Sequence, residues 1–275
     1  MPAGGVRVVC CQIAPAVVHP ETSRSRAVEA VAAAVAAGAQ IVVLPELVTS
    51  GYVFASLEEA RAAAFPAEGE WFAGWAREAA RVDAVVIGGF CERGPDGRLF
   101  NSSALVDGGG LRAVYRKLHL WGEEPRWFSA GDRPAPVLDT GHGRIGLAVC
   151  YDIEFPELTR GLALAGAELL AVPANWPREP RPILQSLAAT TAYLSRVYVA
   201  VCDRCGSERG LEFEGGSVIA GPDGGLCAGP VVGGGPQTLA ADCDLGEARR
   251  KRNGPHNDAF ADRRPTYYAE ALSRE

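Results

Sequence analysis

The stretch RIGLAVCYDIEFPEL (residues 144–158) joins an apolar run to a short polar turn and then to a proline. The five residues before Cys150 have the apolar character of a buried strand, and Pro156 suits the first turn of a helix that we expect to reach Ala165. A strand followed by a helix is the building unit of α/β proteins. The stretch therefore predicts an α/β fold in which Cys150 lies on a strand-to-helix turn.

The same alternation continues on both sides of this stretch. We predict strands at 6–14, 40–44, 84–90, 144–149, 168–172 and 198–202, helices at 23–37, 57–64, 71–81, 156–165 and 183–196, and hairpins at 102–115 and 217–227. Strands alternating with helices favour parallel pairing, and the hairpins add antiparallel pairs, so a mixed sheet is expected. No internal repeat or linker interrupts the pattern, which predicts one domain over residues 1–275.

Composition excludes several classes of function. The chain has 275 residues, of which 48% are hydrophobic, enough for a sizeable core. Its net charge of −6 argues against nucleic-acid binding, which needs a basic surface. No apolar run is long enough to cross a bilayer and no secretory signal precedes the first strand, so a cytoplasmic protein without a membrane partner is expected.

The eight cysteines are expected to be reduced thiols, because no secretory signal accompanies them. Cys202 and Cys205 form a CxxC pair, but a zinc site would need a second pair of ligands at suitable spacing. A redox pair would begin a helix, whereas this one follows an apolar run. We therefore interpret it as the end of a strand and expect no metal site.

Three residues have the chemistry of a thiol hydrolase. Cys150 ends one buried strand, Glu46 directly follows another, and Lys117 is one of only two lysines among 27 basic residues. A thiolate can attack a carbonyl carbon, a carboxylate of raised pKa can move the proton, and an ammonium can hold the oxyanion. None of the four histidines is a better base, and His119 is placed to support the site. Each residue alone has a structural alternative: a buried inert thiol, a solvated strand end, or a lysine retained by chance.

Taken in order, these residues lie in motifs that resemble the nitrilase or carbon–nitrogen hydrolase superfamily. The motifs are LPEL (44–47) with Gly51-Tyr52, YRKLHLW (115–121), VCYDIEFPE (149–157), AVPANW (171–176), Gly216-Ser217 and GPDG (221–224). The resemblance extends from about Val6 to a last strand near Asp244.

The resemblance implies a four-layer α-β-β-α sandwich that forms a homodimer or a higher homo-oligomer, with the tail at about 245–275 in a subunit interface. It implies Cys150 as nucleophile, Glu46 as general base and acid, and Lys117 as oxyanion stabiliser. Glu124, with Glu123 as the fallback, would orient Lys117 and the substrate. Neither a metal nor an organic cofactor is implied, and the ligand is a small amide.

Residues after the cysteine bear on the substrate. True nitrilases usually have Trp-Glu where this chain has Tyr151-Asp152, which favours amides over nitriles. Glu154 stands where the ω-amidase branch has arginine, so an amine-bearing amide is favoured over an anionic one. The block resembles 5-aminopentanamidase and R-stereoselective amidases. An equal alternative is that Glu154 caps or pairs with the following helix.

Further substrate contacts are predicted at Tyr151, at Asn175 as a polar contact, and at three pocket walls, each of which could equally be a core aromatic: Tyr52, Trp121 and Trp176. Two other functions stay open from the sequence. One is hydrolysis of N-carbamoyl amines or small nitriles on the same scaffold. The other is a binding protein without catalysis that has kept the fold.

Overall fold

A computed structural model describes residues 5–17, 19–178, 183–233 and 235–272. Within these residues two β-sheets form the centre of the molecule. The strands are β1 (Val6–Gln12), β2 (Ile41–Val43), β3 (Val85–Arg93), β4 (Leu99–Asp107), β5 (Gly110–Arg116), β6 (Val137–Thr140), β7 (Gly143–Leu147), β8 (Leu169–Ala174), β9 (Tyr198–Asp203), β10 (Cys205–Glu208), β11 (Leu211–Ala220), β12 (Leu226–Val232) and β13 (Gln237–Cys243).

Both sheets are mixed, as predicted. The first has the strand order β13-β1-β2-β3-β4-β5, in which β1, β2 and β3 are parallel neighbours and the outer pairs are antiparallel. The second has the order β10-β11-β9-β8-β7-β6, with β12 also paired to β11, and its parallel neighbours are β7, β8 and β9. Each of β2 and β8 has parallel neighbours on both sides. Functional residues in α/β sheets collect just beyond the carboxyl ends of such strands.

Helices cover the outer faces of the sheets. The helices among the described residues are α1 (Pro20–Ala36), α2 (Leu57–Ala63), α3 (Ala73–Ala79), α4 (Pro156–Leu164), α5 (Ile183–Ser195) and α6 (Pro265–Leu272), of which α6 is exposed. Helices α1 and α3 pack against the first sheet, whereas α5 packs against β9 and β11 of the second and α4 packs beside α5. The layer order is helix, sheet, sheet, helix, which confirms the predicted α-β-β-α sandwich.

Strand β1 shows how the sequence produces these layers. Val8 and Cys10 face the second sheet, where the Cys10 thiol contacts the Cys202 thiol of β9. Val9 and Cys11 point the other way and pack beneath α1. Successive strand residues face opposite sides, so an uninterrupted apolar run is what a strand buried on both sides requires.

Several boundaries differ from the predictions for local reasons. Helix α1 begins at Pro20, not Ser23, because proline is compatible with the first helical turn. The pattern did not predict β6 or α6, which are short elements with mostly half-buried or exposed residues. The CxxC pair spans the end of β9 and the start of β10, and all eight cysteines are free.

No helix among the described residues is both long and apolar enough to span a membrane. The same residues contain no group of three or more His, Cys, Asp or Glu side chains arranged to hold a metal ion.

Candidate active site

Cys150 begins a 3₁₀ turn (Cys150–Glu154) just after β7 and is buried. Its φ is +49°, in the left-handed region that residues with a side chain rarely adopt. The backbone N–H of Asn175, directly after β8, faces the thiol and acts to lower its pKa. The left-handed backbone conformation of Cys150 costs about 1–2 kcal/mol and persists only where neighbouring contacts enforce it.

Asp152 supplies those contacts. Its carboxylate is completely buried and accepts hydrogen bonds from the Val149 N–H at 3.0 Å and the Tyr115 hydroxyl at 2.8 Å. Its other oxygen accepts from the His119 N–H at 3.2 Å and lies 2.7 Å from His119 Nδ1. Asp152 therefore ties the Cys150 turn to the end of β5. The motif predicted Asp152 only as a residue typical of the amide-hydrolysing branch, not in this structural role.

Glu46 follows β2 and Pro45, and its side chain is completely buried, so the interpretation of a solvated strand end is wrong. Its backbone lies directly over Gly89 of β3. A Cβ on Gly89 would be 2.2 Å from the Leu47 nitrogen and 2.6 Å from the Glu46 Cα. The absence of a side chain at Gly89 thus allows the first sheet to hold Glu46 inside the protein.

Lys117, just after β5, lies between two carboxylates. Its Nζ donates to Glu46 Oε1 and to Glu124 Oε1, each at 2.8 Å, and its side chain is fully buried. Asn101 Nδ2 also donates to Glu46 Oε1 at 2.7 Å. Burial by itself would lower the pKa of Lys117, but attraction to the two carboxylates raises it above its ordinary value, so Lys117 stays an ammonium.

Glu124, not Glu123, contacts Lys117. Glu124 begins the 3₁₀ turn Glu124–Arg126, is buried, and accepts a second hydrogen bond from the Tyr52 hydroxyl at 2.9 Å. Glu123 is exposed and pairs with Arg126. Burial, together with the charge of Glu46, raises the pKa of Glu124, and Lys117 opposes that shift.

The thiol of Cys150 is protonated at rest. Burial and the negative charge of Glu46 raise its pKa well above the ordinary value, although Lys117 and the Asn175 N–H act in the opposite direction. A nucleophilic thiolate therefore needs a base at the moment of attack. Glu46 Oε2 and Glu124 Oε2 are both buried without a hydrogen-bond partner among the described residues, and of the two carboxylates Glu46 has the larger effect on the pKa of the thiol.

A cavity of about 280 Å³ lies beside Glu124. Its walls are largely aromatic and apolar and include Tyr52, Trp121, Trp127 and Leu211. The Trp121 ring meets Tyr151, the residue after Cys150, edge to face with centroids 5.0 Å apart. The cavity wall at Trp121 is thus in contact with the turn that contains Cys150.

The other predicted contacts lie elsewhere around the site. Asn175 and Trp176 are buried at the end of β8, and both polar side-chain atoms of Asn175 lack a partner in the described part of the chain. Glu154 ends the Cys150 turn and is half-buried. Tyr151, Glu154, Asn175 and Trp176 do not line the cavity, whereas Tyr52, Trp121 and Glu124 do.

Asn101 is a second site residue that the motifs did not predict. It lies on β4, is completely buried, and contacts Glu46 directly. The signal was present, because NSS (101–103) places three polar residues inside an otherwise apolar strand. Buried polar side chains of that kind need partners, which is a reason to expect a site nearby.

Comparison with known proteins decides the family. A family profile described as carbon-nitrogen hydrolase matches residues 7–253. The chain belongs to this family. It is an enzyme of the nitrilase superfamily, which confirms the resemblance read from the motifs and does not support the alternative of a binding protein without catalysis.

Two relatives resemble the chain over most of its length. A protein of Pyrococcus abyssi named nitrilase is 36% identical over 96% of this chain and 99% of its own. An (R)-stereoselective amidase of Pseudomonas sp. is 36% identical over 73% of this chain and 72% of its own.

The crystal structure of an amidase from Nesterenkonia sp. superposes on this chain with a TM-score of 0.81 at 28% identity, covering 99% of this chain and 98% of the other. A mutant of that amidase carries the acetamide moiety of fluoroacetamide covalently added at its active-site cysteine; it has a TM-score of 0.80 at 28% identity and covers 98% of each chain.

Proposed function

We propose that this chain hydrolyses a small primary amide to a carboxylic acid and ammonia through a thioester on Cys150. The observation that carries the proposal is the position of the Lys117 ammonium, held 2.8 Å from both Glu46 and Glu124 in a buried site beside the thiol. Such a site offers a nucleophile, a base and a fixed positive charge without access to bulk water.

The reaction begins when Glu46 takes the thiol proton of Cys150. The thiolate adds to the amide carbon, and the oxyanion is stabilised by Lys117 and a backbone N–H. Glu46 then returns the proton to the leaving nitrogen, the carbon–nitrogen bond breaks, and ammonia departs. Water, deprotonated by Glu46, attacks the thioester, and the acid leaves as the thiol is restored.

Glu124 keeps Lys117 in place during this sequence. Two carboxylates share one ammonium, so Lys117 stays attached through Glu124 when Glu46 becomes protonated. Asn101 holds the oxygen of Glu46 that faces Lys117, which leaves Oε2 as the proton acceptor. These contacts support different roles for the two glutamates.

The cavity supports an apolar portion on the substrate. Its aromatic walls and volume of about 280 Å³ suit a short aliphatic or aromatic acyl group. An amine-bearing amide is the more specific form of the proposal, supported by the carboxylate of Glu154 at the end of the Cys150 turn.

Nitrile hydrolysis is the second candidate, because the P. abyssi relative is named nitrilase. A nitrile would form a thioimidate on Cys150 and also release ammonia after water attack. N-carbamoyl amines are the third candidate and would release carbon dioxide as well. Tyr151-Asp152 in place of the Trp-Glu usual in nitrilases favours the amide.

An ammonia-release screen tests these candidates. The panel is β-alaninamide, 5-aminopentanamide, propionamide, hexanamide, succinamate, N-carbamoyl-β-alanine and propionitrile, with Cys150→Ala as the control. We expect turnover of the neutral or amine-bearing amides and none by the variant. Equal turnover by Cys150→Ala would rule out the thioester. Turnover of propionitrile alone would show that the substrate is a nitrile and not an amide.

We also propose that the protein forms a homo-oligomer and that it is located in the cytoplasm. Helix α6 exposes Tyr267 and Tyr268, which supports the tail at 245–275 as part of a homo-oligomer interface. Light scattering of the whole chain and of Tyr267→Ser tests this: loss of the assembly is expected, and a wild-type monomer would contradict it. Eight free thiols support a reducing cytoplasm as the location.

A further inference from the structure

Arg204, in the middle of the CxxC pair, is a charged side chain that the proposed mechanism does not use. It lies between β9 and β10 and is completely buried. Its Nη1 donates to Glu208 Oε2 at 2.9 Å and its Nη2 to the Pro15 carbonyl at 2.8 Å, while the guanidinium stacks 4.1 Å over the Phe213 ring. A buried charge is tolerated only when it is paired in this way.

Glu208, the partner of Arg204, holds the loop that carries Tyr52. Its Oε2 accepts the backbone N–H groups of Tyr52 and Val53, both at 2.8 Å, and its Oε1 accepts the Val17 N–H at 2.8 Å. Gly51 packs so closely that a Cβ there would lie 2.5 Å from Glu208 Oε1. One buried carboxylate therefore fixes two consecutive amides of a loop 155 and 156 residues away in sequence.

Tyr52 continues this chain of contacts into the site. Its hydroxyl donates to Glu124 Oε1 at 2.9 Å, the same oxygen that accepts from Lys117. Its ring meets Phe213 edge to face, with centroids 6.3 Å apart, so the ring is held against the residue that Arg204 also covers. Burial raises the pKa of the Tyr52 hydroxyl, which keeps it a donor at neutral pH.

We propose that Arg204 and Glu208 are positioning residues, which fix the Tyr52 backbone so that its hydroxyl holds Glu124 against Lys117. The inference rests on the proposed function, because it assumes the roles given there to Glu124 and Lys117. If the pair of Arg204 and Glu208 served the fold alone, Glu208 would not need to accept hydrogen bonds from two backbone N–H groups of the loop that carries Tyr52. A displacement of about 1 Å at a catalytic group can cost 100-fold in rate.

The test compares Glu208→Gln, Tyr52→Phe and the double variant, with Glu168→Gln as the matched control. Glu168 is also a buried carboxylate that accepts a backbone N–H, that of Arg144, and pairs with an arginine, Arg249, but it lies at the other end of β8. The probe is the amide of the panel that the wild type hydrolyses fastest, and thermal unfolding is followed in parallel.

We expect Glu208→Gln and Tyr52→Phe each to lower kcat about 10- to 100-fold. The double variant should lose no more than the worse single variant, because both changes break one chain of contacts. Glu168→Gln should lose thermal stability with kcat near the wild-type value. Multiplying losses in the double variant, or an equal loss of kcat in Glu168→Gln, would overturn the proposal.

The pH profile gives a readout that a purely structural role would not move. The titratable side chains facing Glu124 are Lys117, Glu46, Tyr52 and Cys150, and the Tyr52 hydrogen bond lowers the pKa of Glu124. Without that hydrogen bond the pKa of Glu124 rises, so Glu124 stays protonated up to a higher pH. The acid limb of the kcat/KM profile should therefore move upward in Glu208→Gln and Tyr52→Phe but not in Glu168→Gln; an unmoved limb would contradict the proposal.

A crystal structure of Glu208→Gln separates this inference from the proposed function, because it needs no turnover. The Tyr52 hydroxyl is expected beyond hydrogen-bond distance from Glu124, and an unchanged contact would overturn the positioning role even if the enzyme is an amidase. If Glu208→Gln does not fold, Arg204→Lys serves instead, since lysine keeps the charge but cannot reach both acceptors. Activity of Cys150→Ala equal to wild type would sink the proposed function alone.

Discussion

Lys117 and Glu46 form an ion pair that is sealed from solvent, with Nζ 2.8 Å from Oε1 and neither side chain exposed. The two residues are 71 positions apart in the chain. They meet because β2 and β5 belong to one sheet and Gly89 lets the Glu46 loop lie over β3. A charged pair without water has a large effect on any charge that develops beside it.

Replacing Lys117 by methionine should remove the oxyanion contact and leave two buried carboxylates close together. We expect kcat to fall about 100- to 1,000-fold, the usual cost of losing one oxyanion donor. The free energy of unfolding should fall by about 3 kcal/mol, because a buried charge loses its partner. Ammonia release and urea unfolding measure the two effects.

The only other lysine is the control for this change. Lys251 is half-buried, donates to the Arg196 carbonyl at 2.8 Å, and has a pKa lowered to about 8, first by burial and then by Arg160. Lys251→Met should leave kcat close to wild type. A comparable loss of kcat in both variants would contradict the special role of Lys117.

Glu46→Gln keeps the shape of the side chain but cannot take a proton from Cys150. We expect kcat to fall about 100- to 10,000-fold, as for loss of a general base. The melting temperature should change less than in Lys117→Met, because the amide oxygen can still accept from Asn101 and Lys117. Stopped-assay ammonia release checks the rate, and a loss of less than tenfold would assign the base to another group.

Gly89→Ala should displace Glu46 without changing any polar group. The added Cβ would lie 2.2 Å from the Leu47 nitrogen, so the loop must shift. Both kcat and the melting temperature should fall. Gly161→Ala on α4 is the control, because nothing lies within 4 Å of its new Cβ; it should stabilise the helix by about 0.5–1 kcal/mol and leave kcat unchanged. Wild-type kcat in Gly89→Ala would show that the loop is not constrained.

The raised pKa of the buried Asp203 predicts that the free energy of unfolding depends on pH. Burial, opposed by N–H groups of Trp176 and Arg204, raises its pKa from 3.8 to about 8. Between these values the native state holds a proton that the unfolded chain has released, so the free energy of unfolding falls as pH rises from about 4 to 8. Relative to wild type, Asp203→Asn should become steadily more stable over that window. Parallel pH curves from urea unfolding would contradict this.

Glu154→Arg tests the preference for amine-bearing substrates. Reversing the charge next to the Cys150 turn should shift the kcat/KM ratio of β-alaninamide to succinamate toward succinamate, because an arginine attracts the carboxylate. Propionamide, which carries no charge, controls for damage to the site. An unchanged ratio would mean that Glu154 serves the following helix instead.

Much of the fold follows from local patterns. Apolar runs such as those at 6–14 and 40–44 predicted β1 and β2 because strands buried on both faces need apolar residues at every position. Elements at the margin, such as β6 and α6, have no such constraint, so their sequences resemble loops. Boundaries moved by a few residues where a proline, as at Pro20, favoured the helix.

The sequence by itself predicted Cys150, Glu46 and Lys117 as the reacting residues, because each lies in a motif of adjacent residues. The tertiary structure decided which glutamate serves Lys117, since Glu123 and Glu124 are neighbours in the chain and only the 3₁₀ turn directs one of them inward. It also revealed the contact of Glu208 with the Tyr52 loop. Such contacts depend on how two sheets pack, and local periodicity records which face of a strand is buried but not which distant residue it will meet.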